Sequence, residues 1–122
     1  MLLITSYKKH MKKFTYPLSD SDIVTLTNAL TVMMNTLPDS DLAPQDVIDN
    51  SIYYGEQAFY TLSTHNLQIS RNQISALFVA LQIADGIISG EVPADEESKK
   101  ICQNSLFSIR KLLSVFEDYF EA

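Results

Sequence analysis

Cysteine, histidine and glycine are all scarce in this chain, and each shortage closes off a class of function. Cys102 is the only cysteine, so no internal disulfide forms and no oxidising compartment is implied. It lies on the apolar stripe of an expected helix and reads as a small buried hydrophobe. The histidines are His10 and His65, which with one cysteine cannot assemble a zinc site. A di-iron bundle requires a Glu-x-x-His pair and inward carboxylates. Neither histidine has a glutamate three residues before it, and no Asp or Glu falls on an expected core stripe. A bundle metal centre is therefore not expected. Only three glycines are present; Gly55 and Gly86 fall inside expected helices, which leaves no Gly-rich phosphate loop. Together with four prolines they are also too few for the turns of an all-β fold.

Long hydrophobic runs are missing as well. The longest apolar stretch, Ile74 to Ile88, is interrupted by Ser75, Gln82 and Asp85 and is too short to span a bilayer. The apolar run Met1 to Ile4 precedes the positive charges rather than following them, unlike a signal peptide. A cytoplasmic location is the expectation.

Basic residues are the next shortage. The formal net charge is −6, with nine bases against fifteen acids. Four of the nine are Lys8, Lys9, Lys12 and Lys13, so the rest of the chain carries a net of −10. An acidic body repels nucleic acid and attracts basic partners. Met11-Lys12-Lys13 also reads as a natural translation start, which leaves open whether residues 1–10 belong to the native protein. Residues 1–18 show no sustained period and are read as an N-terminal extension, extended or partly disordered.

What is present in abundance is helical periodicity. Ile23, Leu26, Leu30, Met33 and Leu37 are spaced three, four, three, four and make one apolar stripe over Asp20 to Leu37. Ser19 or Ser21 suits the N-cap, and Pro38 ends the helix. Pro44 opens a second helix running to about Thr64, with the stripe Ile48, Ile52, Gly55, Phe59 and Leu62. Ser70 and Gln73 form a capping box for a third helix, with Ile69 and Ile74 as the hydrophobic staple. Its stripe is Ile74, Leu77, Leu81, Ala84 and Ile88, and Gly90 is the stop. Pro93 opens a last helix reaching nearly to the C-terminus, with the stripe Cys102, Leu106, Ile109, Leu113, Phe116 and Phe120. Short loops between long helices predict an all-α, antiparallel up-and-down four-helix bundle over residues 19–122.

Helix two carries a second stripe. Asp46, Asp49, Tyr53, Glu56 and Tyr60 repeat the three–four spacing, roughly 120° from the apolar stripe at about 100° per residue. Three acids interleaved with two tyrosines form a candidate recognition face for a basic partner, since tyrosine offers rigid contact area and a hydroxyl. Nuclease-colicin immunity proteins use acidic helices with adjacent tyrosines, and Ile52-Tyr53-Tyr54 is locally similar to them. The likeness spans three residues, the helices here are longer, and no membership in that family follows.

Helix three is apolar over about two thirds of its circumference, more than a peripheral bundle helix needs. Central packing, cover by residues 1–18, or a second copy of the chain would each account for it. Phe78, with Val79 beside it, projects into the expected polar arc of helix three, and Phe107 into that of helix four near Lys100, Gln103 and Lys111. These three residues are the candidates for self-association as a homodimer. The leading expectation is a non-enzymatic, acidic protein-binding module of immunity, inhibitor or adaptor type, without cofactor or metal, that binds neither nucleic acid nor membrane. The alternative is a dimeric bundle holding a small ligand in a cavity near Met33, Met34 and Gly55.

Overall fold

The computed structural model describes residues 13–65 and 68–121. Lys8, Lys9, Lys12 and His10 of the basic arm lie outside the described residues; Lys13 is described and exposed. Among the described residues the chain forms five α-helices and no strand: α1 (Asp20–Thr36), α2 (Gln45–Ser63), α3 (Arg71–Ser89), α4 (Glu96–Asn104) and α5 (Leu106–Glu121).

The helices start where side chains can satisfy free amides. At α1, the Asp22 N–H donates to Ser19 Oγ at 3.1 Å and the Ser19 N–H donates to Asp22 Oδ2 at 3.0 Å, a reciprocal cap. At α3, Ser70 Oγ accepts from the Gln73 N–H at 3.2 Å. The expected return bond from Gln73 is not made, and its Oε1 is buried without a hydrogen-bond partner. At α4, Asp95 Oδ1 accepts from the Ser98 N–H at 2.7 Å. That bond holds the Asp95 carboxyl below its ordinary pKa. α2 follows Pro44 with no side-chain cap. Gly90 stops α3 with φ 85°, a left-handed conformation that suits a residue without Cβ.

Packing departs from a square bundle. α3 lies at the centre, against all four other helices, and its most extensive contact is with α1. α2 touches α1 and α3 but not α4 or α5. The molecule is thus a central α1–α3 pair flanked by α2 on one side and by α4 and α5 on another. By length and apolar composition alone α3 is fit to cross a membrane, yet 61% of that stretch is buried inside the chain. Its apolar circumference is accounted for by this central position.

The single last helix expected after Pro93 is two helices. At Ser105 (φ −114°, ψ 18°) the backbone N–H turns to the carbonyls of Cys102 and Gln103. Asn104 and Ser105 have side chains that compete for the helix's own hydrogen bonds, which makes this the weak point of the segment. Residues 13–19 are non-helical, and Phe14 packs on α5, with ring centroids 5.0 Å from Phe116 and 5.4 Å from Tyr119.

Two side-chain expectations are corrected by this packing. Phe59 was expected in the core and is 42% exposed; the buried positions of α2 are Ile48, Ser51, Gly55, Ala58 and Leu62. The inward face is turned toward the small residues, which lets α2 approach α1 closely. Phe78 and Val79 were expected at a polar surface and are 3% and 5% exposed. α5 covers that side of α3, and the Phe78 ring lies 5.1 Å from that of Phe120. The space beside Gly55 is filled: a Cβ there would come within 2.7 Å of Met33 Cε and 2.9 Å of Met34 Cε.

Candidate protein-binding face

α2 packs through one side only, so its opposite side is set by solvent. Asp46, Asp49, Tyr53, Glu56 and Tyr60 are all exposed, Tyr53 at 59% and Tyr60 at 71%. For two tyrosines so close together this is high exposure, because a large aromatic ring gains about 1.5–3 kcal/mol from full burial. The face is not a loose collection. The Tyr53 ring stands edge-on to that of half-buried Tyr54, with centroids 5.0 Å apart, which limits its swing. Asp49 Oδ1 accepts from Gln45 Nε2 at 2.9 Å, one helical turn away.

Tyr53, Glu56 and Tyr60 line an open cleft of about 450 Å³ together with Gln57, Thr61 and Gln73. Asp46 and Asp49 lie nearer the start of α2 and do not line it. Gln57 and Thr61, each one position after a stripe residue, lie at its border and were not among the residues named from the sequence. Nor was Gln73, because it enters from the first turn of α3. Phe59, 42% exposed, lies beside the inward stripe of α2 and not on this face. α2 itself carries Asp46, Asp49 and Glu56 and neither lysine nor arginine, while Arg71 opens α3 two residues before Gln73.

The residues named for self-association are not brought together. Phe78 and Val79 are interior, whereas Phe107 is 87% exposed on α5. A second cleft, of about 200 Å³, lies between α3 and α5 and is lined by Phe78, Gln82, Asp85, Leu113, Glu117 and Phe120, among others. Arg110 Nε donates to Asp85 Oδ1 at 3.3 Å across the same helix pair.

Reactive chemistry has little to work with among the described residues. No group of three His, Cys, Asp or Glu is placed to hold a metal ion. Cys102 is fully buried, and desolvation pushes its thiol up to about 11. It is therefore protonated near neutral pH, the wrong form for a nucleophile. The most engaged carboxylate is Asp22, which accepts from Lys111 Nζ at 2.7 Å. Burial pulls its pKa up, but the bonds from Lys111 and Ser19 outweigh this and hold it below the ordinary value. This pair joins α1 to α5 and is structural.

No protein-family model matches the chain, and neither a curated protein nor a solved structure matches it. The functional reading therefore rests on the geometry of α2.

Proposed function

We propose that this chain is a non-enzymatic protein-binding module whose α2 face recognises a basic surface on another protein, in the manner of an immunity protein, inhibitor or adaptor. One observation carries the reading: Tyr53 and Tyr60 stand in water on either side of Glu56, on a helix within a base-free stretch. Tyrosine is enriched among interface hot spots, and acids beside it favour a partner of opposite charge. The acidic field would speed encounter with a basic partner and disfavour nucleic acid and anionic membranes. The bundle is taken as an up-and-down arrangement with a split fourth limb, acting in the cytoplasm. The alternative of a ligand held in the core loses its expected position, since the methionine ends occupy the space beside Gly55.

The test is affinity capture from the host's own lysate, with wild type run beside the triple variant Asp46→Lys/Asp49→Lys/Glu56→Lys. All three positions are exposed, so the variant should fold, which circular dichroism checks. A basic protein recovered in stoichiometric amount with wild type and lost with the variant is the expected result. Equal recovery by both proteins would remove α2 from the interface.

A further inference from the structure

Charge is arranged along this chain in blocks. Against the base-free stretch 14–70 stands a second block, residues 98–116, which holds Lys99, Lys100, Arg110 and Lys111 and no acid. Phe107 sits within this basic block and is the most exposed large hydrophobic among the described residues, at 87%. Residues 100, 103 and 104 on α4 and 107, 110, 111 and 114 on α5 are all exposed, and within α5 the three and four spacing sets Phe107, Arg110, Lys111 and Ser114 along one outer side. Part of this positive charge is engaged within the chain: Lys99 pairs with Glu96, Arg110 with Asp85 and Lys111 with Asp22. Lys100 makes no ion pair among the described residues. The side chains of Arg110 and Lys111 remain 56% and 51% exposed, with donors still open to solvent.

A phenyl ring held in water among cations is one half of an interface, and the α2 cleft has the features of the other half. Glu56 lines it with Asp46 and Asp49 nearby on the same helix, Tyr53 and Tyr60 rim it, and its volume of about 450 Å³ leaves room for an aromatic ring. We propose that a second copy of this chain docks on the α2 face, seating its Phe107 between Tyr53 and Tyr60 and turning its basic block toward Asp49 and Glu56. This rests on the reading of α2 as a protein-binding face and names an occupant for it.

The charges and the fold together choose this geometry over two others. Pairing two Phe107 faces symmetrically would set Lys100, Arg110 and Lys111 against the same three residues; Asp85 and Asp22 offset two of them, but Lys100 would meet no acid there, whereas the α2 face offers one. Docking within one copy is closed off because α2 has no contact with α4 or α5, and the two faces lie on different flanks of the α1–α3 pair. What remains is a head-to-tail contact between copies, which closes into a ring or grows as an open chain. A basic protein partner would then compete with self-association for one face, so the assembly would act as a store of masked binding sites.

A head-to-tail contact has a signature that a symmetric one lacks, and sedimentation velocity reads it. Wild type should gain mass with concentration, and the gain should shrink when salt rises from about 50 mM to about 500 mM, as screened charge pairs require. Phe107→Ser alone and the Asp46→Lys/Asp49→Lys/Glu56→Lys triple variant alone should each lose at least tenfold in self-association. Mixed, they should form a complex of one copy each, because each supplies the face that the other lacks. Tyr60→Ser serves as a second α2-side variant should the triple variant fail to fold. A wild type that stays monomeric throughout overturns the proposal, as does a mixture that stays monomeric while wild type associates, or variants that associate like wild type. None of these results touches the α2 reading itself, which stands or falls on capture of a partner; Phe107→Ser should capture that partner as wild type does.

Discussion

α2 and α3 are each nineteen residues long, lie side by side, and do opposite things with their apolar surface. α3 buries eleven residues and has partners on every side. α2 buries five, three of them serine, glycine or alanine, and leaves Tyr53, Phe59 and Tyr60 in water. A helix that contributes mainly small residues to the core can approach its neighbours closely, but it gains little burial energy in doing so. Its large side chains are free for another purpose. The contrast separates residues that hold the fold from residues that the fold merely displays.

The sharpest way to break that comparison is to remove mass from α3. Leu81 is fully buried near the middle of the helix. Leu81→Ala removes its packing and leaves a cavity in a region walled by several helices, so a loss of about 2 to 5 kcal/mol is expected. Urea unfolding at neutral pH measures it. A loss under about 1 kcal/mol would mean that α3 is not the centre of the core.

Much of this division was legible from residues alone, and its failures have physical causes. Caps at Ser19 and Ser70, the stop at Gly90 and the three–four spacing located the first three helices to within a residue or two, because those signals are local. The inward choice between Ala58 and Phe59 was not local. Both positions lie near the same arc, and close approach to α1 favoured the smaller residue. Phe78 was misplaced for a related reason: its arc reads as polar beside Ser75, Gln82 and Asp85, and only the long-range arrival of α5 turns it inward. The break at Ser105 left a weak sign in Asn104-Ser105, which an unbroken apolar stripe concealed. On the candidate face, the acids and tyrosines of α2 could be read directly, whereas Gln73 joins the cleft only through tertiary packing.

A smaller effect tests the seam between α1 and α5, away from both contrasted helices. Asp22 is 2% exposed, caps α1 through Ser19 and accepts from Lys111, whose own side chain is half in water. Asp22→Ala should cost about 1 to 2 kcal/mol at neutral pH through the lost cap and hydrogen bonds. The folded carboxyl has a pKa below its ordinary 3.8, so it binds its proton less readily folded than unfolded. Its contribution is therefore complete well above that value and is lost as pH falls through the folded pKa. The gap between wild type and Asp22→Ala should narrow in acid. Lys111 runs the other way: its hydrogen bond to Asp22 raises its pKa above 10.5, so its contribution is complete below that value and fades as pH climbs through the folded one. A gap that stays constant from neutral to strongly acidic pH would show that the Asp22 charge contributes nothing.

The smallest effect on stability is expected at the most displayed tyrosine. Tyr60 is 71% exposed at the rim of the α2 cleft, and its ring has given up little water in folding. Tyr60→Ser should shift unfolding free energy by no more than about 0.5 kcal/mol in either direction. That near-silence is what gives the substitution its value. A residue whose loss leaves the fold intact but removes partner capture is displayed for binding. A residue whose loss damages the fold as a core substitution does is holding structure, whatever its exposure. Urea unfolding of Tyr60→Ser beside Leu81→Ala places each helix on one side of that line, and equal losses for the two would erase the distinction between α2 and α3.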